Sequence, residues 1–190
     1  MAGWNISGAN YPGANLSGAN LRFAKAHSAN FNRVNAAGAD MRKADMSQAS
    51  FEASELTGAR LIGANFTGSN MTSASMVATR LRDALFVGTI MPDTKLQKSN
   101  AHNADFSAAN LIGANFSEAD LTGAVFDNAV MSEANLTNAT VSDASFLDVR
   151  FEGADLRTLI GFESADFGGA CASLETKLPD NLILLTCDAL

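Results

Sequence analysis

Every fifth residue of the chain is apolar, without a slip, from Ile6 to Leu156. Of the 31 positions in this column, ten are Leu, nine are Phe and six are Met. A second column runs two residues earlier, from Trp4 to Ala154. It holds Ala at 22 places, and Ser, Thr or Val at eight of the other nine. The remaining three positions of each five are mostly polar. A period of five matches neither a helix nor a strand. An α-helix would swing such a column through about 140° per repeat and give it no common face. The pattern therefore predicts one supersecondary unit per repeat, stacked into a solenoid. The large residue, here called the centre, and the small residue before it point inward. Bulk in the small column would collide with the centres.

Gly recurs two residues after the centre, as at Gly8, Gly58 and Gly113. That position fits the third residue of a type II turn, where φ is positive. Asn or Asp just before the centre is placed to bond nearby backbone. These polar residues are read as structural.

Ala-Asn-Leu-Ser-Gly (14–18), Ala-Asn-Phe-Thr-Gly (64–68) and Ala-Asp-Leu-Thr-Gly (119–123) resemble the pentapeptide-repeat family, with its A-(D/N)-L-x-x consensus. The resemblance covers roughly residues 4 to 172. It implies an all-β solenoid, a right-handed quadrilateral β-helix with twenty residues per square coil and about eight coils. Folded at that period, one column contains Phe66, Phe86, Phe106, Phe126 and Phe146, an internal aromatic ladder. At ~4.8 Å per coil the rod would be roughly 40 Å long.

After Leu156 the frame slips by one residue, which predicts a bulge or bend before Phe162, Phe167 and Ala172. The β-helix domain is set at 1–172. Residues 173–190 are too apolar for a free tail. They are expected to form a short helical cap broken at Pro179, covering the last coil and forming a homodimer. Trp4 is expected to cover the other end.

Composition narrows the picture. No apolar run is long enough to span a bilayer, so no membrane role is expected. Met1–Ser7 shows no basic segment followed by an apolar core, which points to the cytoplasm. In that reducing setting Cys171 and Cys187 are expected as free thiols, with a disulfide as the alternative. The net charge of −7 is uneven: residues 1–100 carry ten Lys/Arg and six Asp/Glu, residues 101–190 three and fourteen. Because sequence position is axial position in a solenoid, one end should be weakly basic and the other strongly acidic.

Catalytic chemistry finds no support. His27 and His102 each follow a centre, far apart, with no Cys or carboxylate at metal spacing. The Gly residues follow the five-residue period and make no phosphate loop. No enzyme activity, cofactor, metal or direct nucleic-acid binding is expected. Apolar residues at outward positions carry more information. Leu85 and Ile90 precede centres on neighbouring faces of one coil, and Val125 and Val130 take the same columns two coils later. With Val87, Ile112 and Leu147 on the same faces they make a candidate elongated interaction patch, the alternative being that residues before the centre are half-exposed and these scattered apolar side chains carry no role. Asp105, Asp127 and Asp148 fall on the Phe-ladder face in the acidic half.

Two functions follow from the resemblance. The regular, Ala-rich repeat is similar to that of the many pentapeptide proteins of photosynthetic bacteria, which favours a protein-binding scaffold. The alternative is mimicry of DNA, as in the family's quinolone-resistance members, which are acidic dimeric rods that occupy the DNA-binding saddle of DNA gyrase or topoisomerase IV. Asp105, Asp127 and Asp148 would then imitate phosphates. The chain departs from those members in its Ala-rich small column, its lack of loop insertions and its basic first half.

Overall fold

The computed structural model describes residues 3–187. The chain winds into a parallel β-helix. The residue before each centre pairs in parallel with the residue twenty positions later, from Asn5↔Lys25 through Thr140↔Ile160. Pairing is reduced to one bridge per face because every repeat turns a corner.

One repeat shows why the sequence takes this form. Phe106 N–H donates to the Val125 carbonyl of the next coil at 2.7 Å, and Ala108 N–H donates to Asp127 O at 2.8 Å. Asp105 N–H reaches back to Ala84 O at 3.0 Å. Ala109 N–H closes the turn onto Phe106 O at 3.0 Å. The fifth amide, on Ser107, donates to the Asp105 carboxylate at 2.9 Å. All five backbone donors of the repeat are thus satisfied, as burial requires. The same contact recurs from Asn65 to Thr67 N–H at 3.0 Å and from Asn115 to Ser117 N–H at 3.0 Å. The Asn and Asp residues before the centres are accordingly turn supports.

The residue two after the centre has positive φ in every repeat from Gly3 to Gly153. Glycine adopts this freely, but Lys43 (φ 56°) and Ala108 (φ 55°) adopt it too. The surrounding coil-to-coil hydrogen bonds hold these L-residues in a conformation that costs each of them free energy.

The centres fill the interior and the small column lies between them. Centres from Leu21 to Leu156 are all buried. Phe66, Phe86, Phe106, Phe126 and Phe146 stack with centroids 5.0–5.2 Å apart and planes within 8°. Phe116, from the opposite wall, inserts its ring at about a right angle to Phe106 and Phe126, 5.7 Å from each. Where the small column holds a hydroxyl, that group is largely paired: Thr94 donates to Met91 O at 2.8 Å, and Ser54 to Phe31 O at 2.8 Å.

The ends depart from expectation. Trp4 is 60% exposed and Tyr11 41%, so the first coil is uncovered and Trp4 does not close it. At the other end the insertion follows Gly161, which has φ 75° and leads into a 3-10 turn over Phe162–Ser164. Pairing then shifts to 21 residues (Ser145↔Asp166, Arg150↔Cys171), and Phe167 joins the ladder 5.0 Å from Phe146. A second extra residue lets Asp155 pair with Lys177, and Leu178 packs against the core. The ladder therefore runs beyond residue 172.

The expected helical cap is absent among the described residues. The tail is extended: Leu185–Thr186 pairs in parallel with Cys171–Ala172. A disulfide joins Cys171 to Cys187, with Cα atoms 4.8 Å apart, which overturns the expectation of free thiols. An extended segment satisfies the unpaired edge of the last coil directly, which a helix cannot do.

Candidate interaction surface

The four walls of the solenoid place the candidate residues. Leu85 and Ile90 lie on adjacent walls of one coil, 42% and 48% exposed. Their bridge partners along the rod are polar: Asn65 and Asp105 flank Leu85, and Asn70 and Asn110 flank Ile90. Val125 and Val130 follow beyond Asp105 and Asn110, and both are half-buried. Leu85 and Ile90 thus form one apolar corner, which Asp105 and Asn110 separate from the two valines within their columns, while the exposed Ile112 continues the apolar surface on the wall of Ile90.

Asp105, Asp127 and Asp148 occupy one wall but different columns. Asp105 accepts bonds from Ser107 N–H and Oγ. Asp127 accepts from Ser145 Oγ and Leu147 N–H, tying two coils together. Asp148 sits at a turn, exposed, with φ 55°. Asp166 adds a fourth carboxylate to this wall, in the column of Asp105.

His27 Nδ1 lies 3.0 Å from Ser47 Oγ, which accounts for it structurally. No group of three His, Cys, Asp or Glu side chains is placed to hold a metal among the described residues. A cleft beside the tail is lined by Glu152, Ser173, Glu175, Thr186 and Cys187, where the Ser173 hydroxyl bonded to Glu175 holds that carboxyl below its ordinary range. The clearest electrostatic effects are local. The Arg42 guanidinium bonded to Asp40, and that of Arg157 bonded to Asp155, hold those carboxyls below their ordinary range.

Sequence reasoning overlooked one feature. Folding at twenty residues gathers Arg22, Arg42, Lys43, Arg60, Arg80 and Arg82 on a single wall. The twenty-residue spacing of Arg22 to Arg42 and of Arg60 to Arg80 was the available signal.

A parallel β-helix of five-residue units, walled by turns and filled by one centre per repeat, defines a solenoid scaffold protein. The pentapeptide-repeat family model matches in eight copies between residues 5 and 157, and the chain belongs to that family, whose members fold as right-handed β-helices. Among solved structures, the chain is similar to HetL, a pentapeptide repeat protein involved in heterocyst differentiation regulation from the cyanobacterium Nostoc sp. strain PCC 7120. The identity is 24%, with 96% of this chain and 92% of that one covered and a TM-score of 0.50. It is also similar to full-length QnrB1, a plasmid-mediated fluoroquinolone resistance protein, at 16% identity, 95% and 91% coverage and a TM-score of 0.64. No curated protein matches the chain. At these identities the likeness extends to the fold.

Proposed function

We propose that the chain is a non-enzymatic scaffold that binds a protein partner through the corner formed by Leu85 and Ile90. The observation that carries this reading is their exposure side by side on a wall held rigid by hydrogen bonds, in columns otherwise mostly polar. A preformed apolar corner loses little conformational entropy on docking. A photo-crosslinking residue at position 87, beside the corner, should capture a partner, and Leu85→Ser with Ile90→Ser should abolish that capture while the circular dichroism stays unchanged. Capture that persists in the double variant would refute the assignment. The cytoplasm stays the proposed location; a disulfide favours an oxidising setting, so thiol trapping in intact cells tests it.

A second reading, DNA mimicry toward gyrase or topoisomerase IV, draws on the carboxylates Asp105, Asp127, Asp148 and Asp166 on one wall. In that reading the exposed Leu174 and Ile183 of the tail form the homodimer contact. The arginine-rich wall opposes mimicry over the full length of the rod. A supercoiling assay with a fluoroquinolone, with and without the protein, decides between the readings. Under the mimic reading, the Asp105→Asn, Asp127→Asn, Asp148→Asn variant would lose any effect.

A further inference from the structure

The arginine-rich wall is not used by either reading. Arg60 stacks on Arg80 across a parallel bridge, a separation of about 4.8 Å, and like charges directly opposite one another are unfavourable. Arg42 is paired with Asp40 at 2.6 Å. Among the described residues Arg22, Arg60, Arg80 and Arg82 form no ion pair, and the Nε atoms of Arg22 and Arg60 are buried without an acceptor. Farther along the same wall stand Asp120, Asp143 and Glu163, also outside any ion pair, and residues 100–103, 120–123, 140–143 and 160–163 contain no Lys or Arg. With Asp40 and Asp83 the carboxylates among six cations in its first part, the wall is net cationic toward the N-terminus and anionic toward the C-terminus.

We infer that this wall is the contact between two antiparallel copies of the chain. A two-fold axis lying across the wall reverses the order of coils and makes each column face itself. The bridge column reads Arg60, Arg80, Asn100, Asp120, Thr140. With the axis at Asn100, Arg80 of each copy meets Asp120 of the other, twice by symmetry. The turn column brings Lys43 opposite Glu163 in the same register. A second copy fits this wall better than a nucleic acid does. A polyanion laid along the wall would meet Asp120, Asp143 and Glu163, on a chain of net charge −7. Exposed apolar area on the wall is confined to its two ends, Phe23 and Ile160. The contact therefore rests on charge complementarity, at the low end of specific interfaces, about 1,000 Å² in total, and it is salt-sensitive.

The test is sedimentation equilibrium of the full chain at about 100 μM, in salt of about 50 mM and then about 500 mM. The expected result is a dimer at low salt whose dissociation constant rises at least about tenfold at high salt. Arg80→Asp should give a monomer, and adding Asp120→Arg in the same chain should restore the dimer, because the symmetric pair is then complementary again. Arg60→Gln, which only removes charge, should weaken it, whereas Ile183→Ser in the tail should not. Far-UV circular dichroism checks the fold of each variant. A wild-type monomer at low salt, a dimer indifferent to Arg80→Asp, or a charge swap that restores nothing would each overturn the inference. Loss of the dimer with Ile183→Ser would instead place the contact at the tail.

Discussion

Replacing Phe106 with alanine removes a fully buried ring from the middle of a stack. Phe86 and Phe126 lie 5.0 Å away on either side, and Phe116 meets the ring edge at 5.7 Å. The neighbours are held by coil-to-coil bonds on every repeat, so they have little freedom to collapse into the void. A residual cavity of about 80–100 Å³ at ~24 cal/mol per Å³ costs about 2 kcal/mol. The lost transfer of the ring adds roughly 2 kcal/mol, for a total near 4 kcal/mol, within the usual range for Phe to Ala. Phe167, half-buried at the end of the ladder with one stacking neighbour in its column, should lose less. Chemical denaturation followed by circular dichroism measures both. A loss below about 1 kcal/mol at Phe106, or a larger loss at Phe167, would refute the packing argument.

Ala114→Phe should destabilise by ~1–3 kcal/mol or more through overpacking, and Ser117→Lys on the outside should stay within about 0.5 kcal/mol, as denaturation midpoints would show. Ala108→Gly relieves a positive φ of 55°; the gain of about 1 kcal/mol or more from the folded state exceeds the ~0.5–1 kcal/mol entropy cost of glycine, so the melting temperature should rise slightly. Cys171→Ser with Cys187→Ser should loosen the tail over Phe167 and Leu178, and deletion of 174–190 should uncover Phe162 and Phe167, each increasing dye binding and aggregation; an unchanged, soluble protein would remove the covering role of the tail. Asp155, bonded to Arg157 and reached by Lys177, has its carboxyl held below the ordinary 3.8. Its contribution is present above that value and lost as pH falls through the lower, folded-state value, so Asp155→Asn should flatten the acid limb of stability below about pH 4.

The period of five, the inward columns and the aromatic ladder could all be read from the chain, because each is a strict function of position. Phe66 to Phe146 stack as a twenty-residue fold of the sequence requires. The ends were not legible. A helical cap was expected from Leu182–Leu185, but the competing demand was the unpaired edge of the last coil, and extended backbone at Leu185–Thr186 meets it. Cys171 and Cys187 were read through compartment rather than geometry. Once the tail returns along the last coil they face each other. The Leu85–Ile90 corner was legible as two apolar residues in polar columns. Its separation from Val125 and Val130 was implicit in the same columns, where Asp105 and Asn110 intervene.

The wall as a unit explains why charge summed by halves is a poor guide to this surface. The excess of positive charge in residues 1–100 resides almost wholly on the wall of Arg22, Arg60 and Arg80, whereas Lys25 and Asp45 share the Phe-ladder wall. The core constrains only two positions in five, so each wall is free to vary in its outward residues without disturbing the packing behind it. An apolar corner, a carboxylate-bearing wall and a wall of divided charge can therefore coexist on one rigid rod. Substitutions on the wall of divided charge should leave binding by the other two intact, since it shares no column with them, whereas Leu85 and Asp105 are bridge partners on one wall and are expected to couple.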